Sequence, residues 1–155
     1  MAKYVTKAWI KTAWNKALPD AVKVGLVGIG GMLEQQAAAN SPVGKYPPNT
    51  GRIGGRLRGS ITYAVNSPEG DEWTNTHAAM NMAGDEVSMP GTPHTLHVGT
   101  NVEYAPFVEY GHWTRGKKRF IPGQRYLTRA FDERQSEFGG VFIKAIEQAV
   151  LRHGR

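Results

Sequence analysis

The chain has 155 residues, the size of one domain, and its lack of cysteine excludes disulfides, thiolate metal sites and a cysteine nucleophile. Its formal net charge is +6, and no apolar run approaches the roughly 20 residues that a membrane-spanning helix needs. We therefore expect one domain over residues 1–155 that folds in the cytoplasm, with no signal peptide and no membrane contact.

Charge is distributed unevenly along the sequence. Residues 1–58 hold nine Lys and Arg against two acidic residues, residues 59–114 hold seven acidic residues and no Lys or Arg, and residues 115–155 hold ten basic and four acidic residues. A subunit that meets copies of itself through unlike faces could use both signs, whereas a duplex-binding domain gains nothing from the acidic block. The alternative is that the blocks mix in space when the chain folds.

The N-terminal pattern predicts two helices. Apolar residues recur every three or four positions from 4 to 18, where Pro19 ends the pattern, and again from Val22 to Gln36, with Asp20 as N-cap. Glycine costs a helix up to about 1 kcal/mol relative to alanine, so the glycines of the second helix indicate close packing against another element. These glycines are Gly25, Gly28, Gly30 and Gly31.

The middle of the chain changes to a strand pattern. A basic loop over 41–58 precedes alternation from Ser60 to Val65, and a second strand is predicted at Thr95–Gly99. The acidic, turn-rich stretch 67–93 between them is predicted to be a protruding loop or hairpin.

The last third of the sequence returns to helices. Pro106 and Gly111 bound a predicted short helix, a basic loop follows over 113–119, and a long final helix has its apolar stripe interrupted at Gly139 and Gly140. The predicted fold class is α+β, a small antiparallel sheet packed by N-terminal helices and a long C-terminal helix.

No motif indicates catalysis, a metal site or a cofactor. The glycine run 24–33 lacks the lysine and threonine or serine of a phosphate-binding loop, and His94 and His97 would point to opposite faces of a strand. Glu103 and Glu109 lie six residues apart and would not face each other across a short helix. Convergence of His77, His94 and Glu103 in one cleft would revive a hydrolase hypothesis.

Two clusters are candidates for binding. Tyr104, Phe107, Tyr110 and Trp113 form an aromatic cluster typical of interfaces, although the domain core is the alternative. We expect Phe107 in the core and Tyr110 and Trp113 at an interface. A basic cluster interleaved with Trp113 and Phe120 predicts either a nucleic-acid or partner contact or a solvated loop. Its members are Arg115, Lys117, Lys118 and Arg119.

Three segments in order resemble the minor tail or tail-completion proteins of long-tailed bacteriophages, which are found where the head joins the tail. The first segment contains Ser41-Pro42-Val43, Thr50-Gly51-Arg52 and Leu57-Arg58-Gly59-Ser60-Ile61. The second runs from Val98-Gly99-Thr100 to Tyr104-Ala105-Pro106-Phe107-Val108-Glu109-Tyr110-Gly111. The third contains Phe120-Ile121-Pro122, Tyr126-Leu127 and Ala130. The chain departs from the family in its longer stretch 67–93 and in His112, where the family usually has threonine.

The resemblance implies a non-enzymatic subunit of the virion that assembles in the bacterial cytoplasm into a six-fold or twelve-fold ring at the neck or upper tail. Its partners would be copies of itself, the neighbouring neck, tail-terminator or tail-tube proteins, and genomic DNA passing through the channel without sequence-specific binding. The alternative function is a stand-alone basic nucleic-acid-binding domain.

We expect the acidic and aromatic cluster of one subunit to meet basic residues of the next. The interface candidates are Glu103, Tyr104, Glu109, Tyr110, Trp113, Arg52, Arg56 and Arg58. The loop with Arg115, Lys117, Lys118 and Arg119 is expected to face either the channel or a partner.

Overall fold

The computed structural model describes residues 7–45, 47–50, 54–66 and 94–153. The fold is α+β, as predicted. In chain order its elements are α1 (Lys7–Asn40), a 3₁₀ turn (Pro48–Thr50), α2 (Arg56–Ser60), β1 (Thr62–Val65), β2 (Leu96–Gly99), α3 (Ala105–Tyr110), β3 (Gly111–Trp113), β4 (Phe120–Pro122), α4 (Tyr126–Arg134), a second 3₁₀ turn (Gln135–Glu137) and α5 (Phe138–His153).

Helix α1 is a single element of 34 residues, about 50 Å long, so the predicted break at Pro19 is wrong. A proline inside a helix costs roughly 3 kcal/mol because it lacks an N–H and crowds the preceding turn. Packing on both sides offsets this cost: Ala17 and Ala21 are buried in one cluster with Ala149 of α5. Asp20 is not an N-cap, since it lies inside α1, where its Oδ2 is 2.8 Å from Nη1 of Arg152.

The prediction that glycines of α1 allow close packing is confirmed for Gly25, Gly28 and Gly30 but not for Gly31, where a Cβ atom would meet nothing within 4 Å. A Cβ atom on Gly25 would lie 2.5 Å from Cδ1 of Phe142, and one on Gly28 would lie 3.0 Å from Cγ1 of Val141. A Cβ atom on Gly30 would overlap the ring of Tyr63 in β1. These glycines therefore let α5 and β1 approach the axis of α1 closely.

Strands β1 and β2 confirm the two strands predicted from sequence. They pair in antiparallel register from Thr62 opposite Gly99 to Val65 opposite Leu96. The backbone N–H of Asn66 also donates to the carbonyl of Thr95 at 3.0 Å, which extends the ladder by one bond. The stretch 67–93, predicted as a protruding loop or hairpin, lies outside the described residues.

The main hydrophobic core lies at the C-terminal end of α1, where helices α2, α3 and α4 meet it. Its fully buried members are Ala37, Leu57, Ile61, Val102, Ala105, Tyr126 and Ala130. Small residues of α1 and α3 surround one large ring, that of Tyr126, which has no exposed surface. The core is therefore assembled around a single aromatic side chain.

The long C-terminal helix predicted from the sequence is divided into two helices. Helix α4 gives way to a 3₁₀ turn at Gln135–Glu137, before the two glycines, and α5 then begins at Phe138. The rings of Phe131 and Phe138 meet edge-on across this turn, with centroids 5.5 Å apart. The turn lets α4 and α5 pack on α1 in different directions.

Polar contacts fix α4 to the end of α1. Glu133 Oε2 accepts hydrogen bonds from the side-chain amides of Gln36, at 2.8 Å, and Asn40, at 2.9 Å. The hydrogen bond from Asn40 is the main reason that the pKa of Glu133 lies below its usual value. Arg134 Nε also donates to Oε1 of Gln36 at 2.9 Å.

The neighbouring residues Gly30 and Gly31 provide a matched test of the packing. In Gly30→Ala the new methyl group meets the Tyr63 ring, 2.8 Å from its Cγ, so we expect a loss of about 1–3 kcal/mol of stability. Gly31→Ala meets no atom within 4 Å and should stabilise the protein by about 0.5–1 kcal/mol through helix propensity. Urea unfolding of both variants measures the difference, and equal effects would contradict the close contact.

Candidate functional site

Helix α3 turns its large side chains outward. Phe107 and Tyr110 are 57% and 76% exposed, and Tyr104 at the N-cap is also exposed. The opposite side of the helix buries Ala105 and Glu109. A surface helix usually buries its large apolar residues, so this reversed arrangement is typical of a surface that contacts another molecule.

The β3–β4 hairpin extends this exposed side. Trp113 and Phe120 lie opposite each other in the register, with ring centroids 5.4 Å apart, and Trp113 is 59% exposed. The ring of His112 meets Phe107 edge-on at 5.9 Å and joins the hairpin to α3. Between the two elements lies an open groove of about 480 Å³, which Pro42 borders.

We call the exposed side chains of α3 and the hairpin the aromatic surface. They are Tyr104, Phe107, Tyr110, Trp113, Phe120 and Ile121. Tyr, Trp and Phe are enriched in the buried centres of protein interfaces, where rigid rings supply contact area at little entropic cost. The composition of the aromatic surface therefore favours a protein partner.

Glu109 lies directly behind the aromatic surface and is only 3% exposed. Its Oε2 accepts the backbone N–H of Leu127 at 3.0 Å, and its Oε1 accepts the backbone N–H and the hydroxyl of Thr128 at 3.0 and 2.6 Å. These donors belong to the first turn of α4. The N-cap residue of this helix, Arg125, makes no capping hydrogen bond with its side chain. Glu109 therefore caps α4 from α3 and places negative charge at a helix N-terminus.

Two glycines allow the backbone to cross beside Glu109. Gly111 has φ +88°, and a Cβ there would lie 2.5 Å from the carbonyl oxygen of Ile121. A Cβ on Gly123 would overlap the carbonyl of Glu109. The crossing is closed by backbone bonds from Gln124 to Val108 at 2.7 Å and from Arg125 to Glu109 at 3.1 Å. Larger residues at either glycine would separate α3 from α4.

Tyr126, the first residue of α4, has no exposed surface. Burial, followed by the nearby charge of Glu109, raises the pKa of Tyr126 to about 12. Its phenol is therefore neutral at every physiological pH. The side chain belongs to the main core, in one cluster with Ala105 of α3.

The structure corrects two expectations about this region. Phe107 was expected in the core and is exposed, because Ala105 and Glu109 occupy the inward side of α3. Glu109 was expected to meet a basic residue of the next subunit, but its carboxylate is buried and bonded to α4 of its own chain. Tyr104, Tyr110 and Trp113, which were expected at an interface, are exposed in the single chain.

The other charged interface candidates are exposed where the structure describes them. Glu103 is exposed next to Tyr104, and Arg58 donates to the carbonyl of Ser41, the neighbour of the groove residue Pro42, at 3.2 Å. Arg56 is exposed on α2. Arg52 lies outside the described residues, as do five of the seven acidic residues of the block 59–114.

The basic stretch 113–119 was predicted as a loop, but its ends belong to a hairpin. Strands β3 and β4 flank a turn in which Arg115, Lys117, Lys118 and Arg119 are all exposed. Each strand has three residues, and glycine and proline occupy their outer ends, so no alternating pattern revealed them. The basic residues thus project from the same hairpin that carries Trp113 and Phe120.

The described ranges contain neither a phosphate-binding loop at the glycine run nor a cluster of metal ligands. The glycine run 24–33 lies inside α1, where its backbone N–H groups serve the helix rather than a phosphate. No three His, Asp or Glu side chains among residues 14–45, 54–66 and 94–153 are placed to share a metal ion. His77, one member of the hypothetical cleft with His94 and Glu103, lies outside the described residues.

Comparisons with family models, with curated proteins and with solved structures find no match to this chain. In the part of the chain that the structure describes, none of the helices has the length and apolar character needed to cross a bilayer.

Glu109, within α3, and Glu103, two residues before that helix, provide a test of the buried cap. Glu109→Ala leaves two backbone N–H groups of α4 without their acceptor, so we expect a loss of about 2–4 kcal/mol of stability. The control Glu103→Ala removes the same charge from an exposed position and should change stability by less than about 0.5 kcal/mol. Urea unfolding compares them, and equal losses would contradict the role of Glu109.

Proposed function

We propose that the chain is a structural subunit of a tailed bacteriophage virion, forming a ring at the neck or upper tail that joins head to tail around the genome channel. Copies of the chain would contact one another through the aromatic surface. The observation that carries this proposal is the exposure of that surface on a helix whose other side is anchored in the core.

The three segments that resemble the phage family meet in the main core, which supports the proposal. The first contributes Leu57 and Ile61 to the main core, and the third contributes Tyr126 and Ala130. The second contributes Ala105 and lies between them. Residues that carry the resemblance are therefore neighbours in space as well as in order along the chain.

Hydrogen bonds also connect these segments in pairs. The hydroxyl groups of Ser60 and Thr100 lie 2.5 Å apart and join the first segment to the second. Glu109 joins the second segment to α4 in the third through the N–H of Leu127. The motif residues thus form one frame, and the aromatic surface lies on its outer side.

A ring requires an interface between two different patches of the same subunit, and it closes only when the rotation per subunit is correct. The aromatic surface supplies one patch of suitable composition, bordered by Glu103 and by the basic residues of the hairpin. Charges at the rim of an interface contribute register and partner choice more than affinity. We assign to the exposed Glu103 the contact with a basic residue of the next subunit that was expected of Glu109.

A second candidate function is a stand-alone nucleic-acid-binding domain, and the exposed basic turn of the hairpin favours it. The two functions differ in their requirement for self-association. A binding domain acts as a monomer or dimer on bare DNA, whereas a neck subunit forms rings alone or on heads or tails.

Substitutions in the aromatic surface test the proposed ring. Phe107→Ser and Trp113→Ser should weaken association by about 30-fold or more, because central aromatic anchors contribute about 2 kcal/mol or more each. Both side chains are more than half exposed and each contacts one ring of its own chain, so the loss of stability should stay below about 1.5 kcal/mol. Analytical ultracentrifugation, alone and with heads or tails that lack this protein, measures ring formation.

The matched control is Leu151→Ser on α5, a 69% exposed apolar residue outside the aromatic surface. Its association should equal that of the unmodified chain. If the chain stays monomeric both alone and with heads or tails, the proposed ring is overturned. If all three variants lose association equally, the aromatic surface is not the ring interface.

A further inference from the structure

The turn of the β3–β4 hairpin has a high density of positive charge. Arg115, Lys117, Lys118 and Arg119 are exposed within five consecutive positions. No acidic residue occurs between Tyr110 and Asp132 in the sequence, so the chain on both sides of the turn adds no compensating charge. We call residues 114–119 the cationic turn.

The cationic turn is an ordered structure rather than a loose loop. The backbone N–H of Thr114 donates to the carbonyl of Arg119 at 2.8 Å, and the N–H of Arg119 donates to the hydroxyl of Thr114 at 3.1 Å. The N–H of Lys117 donates to the carbonyl of Thr114 at 2.8 Å. Positive φ angles at Gly116 and Lys117 reverse the chain. A preformed turn loses less entropy on binding than a flexible loop.

The four charges have no partner of opposite sign in the described ranges. The ion pairs found there use Arg129, Arg134, Arg152 and His153. Among residues 7–45, 54–66 and 94–153, no acidic side chain neutralises the cationic turn, so solvent ions accompany it there. A polyanion that binds it releases those ions, which drives association at low salt.

The aromatic residues next to the turn distinguish between two kinds of nucleic acid. Trp113 and Phe120 contact each other, with ring centroids 5.4 Å apart at an interplanar angle of 59°. A single strand binds by stacking its bases on free aromatic faces, whereas a duplex offers phosphates along its outside. Each ring covers part of the other, which leaves less face for stacking bases, and the exposed cations match the phosphates of a duplex.

We infer that the cationic turn binds the phosphate backbone of double-stranded DNA, without reading its sequence. This inference extends the proposed function and rests on it. In a ring, each subunit would present one cationic turn to the DNA in the channel. Several weak contacts within one ring together give a high overall affinity, although each single contact exchanges readily. A single subunit makes few phosphate contacts, so its binding should be measurable only at low salt.

The test measures binding of the chain to a fluorescent 20-base-pair duplex between about 20 and 150 mM salt. Each neutralised phosphate contributes about −0.9 to the slope of log K against log salt, so four contacts predict a slope near −3.6. Lys117→Gln with Lys118→Gln should reduce its magnitude by about 2 and weaken binding at low salt. The control Lys16→Gln with Lys144→Gln removes two exposed charges from α1 and α5 and should keep the slope unchanged.

Three results would overturn the inference. The hairpin and control variants could lose binding equally, which would mean that net charge rather than the cationic turn is responsible. A single strand of the same length could bind more tightly than the duplex. The cationic turn could be needed for binding to vesicles of phosphatidylserine but not to DNA. Ultracentrifugation of the same samples reports ring formation separately, so a failure of the ring and a failure of DNA binding are distinguishable.

Discussion

The carboxylate of Glu109 holds the N-terminus of α4 against α3, and the arrangement of the candidate surface depends on this contact. Helix α4 has no side-chain cap from its own N-cap residue, so its free N–H groups take an acceptor from another element. Because Glu109 faces inward, Phe107 and Tyr110 of the same short helix face outward. One buried charge thus orients the aromatic surface.

The packing of α1 relies on small residues. The helix offers glycine and alanine to its neighbours, and the large rings that pack on it come from other elements, such as Tyr63 and Phe142. On α3 the inward positions belong to Ala105 and Glu109, so its rings remain at the surface.

Local patterns predicted much of the fold, and contacts between distant residues explain the rest. Alternation identified β1, and Pro106 with Gly111 delimited α3 closely. The break at Pro19 failed because burial of Ala17 and Ala21 outweighs the local cost of proline. The orientation of α3 was not predictable from its own residues, since Glu109 finds its partners 18 and 19 positions later in the chain.

The backbone hydrogen bond between Asn66 and Thr95 is the last bond of the β1–β2 ladder. Positions 67–93 connect the two strands in the sequence. The register is fixed by the four pairs from Thr62–Gly99 to Val65–Leu96, so the length of the connection does not set it. Doubling the length of a connection costs only about 0.6 kcal/mol in closure entropy. The two ends of the connection, Asn66 and Thr95, are thus held side by side by the ladder itself.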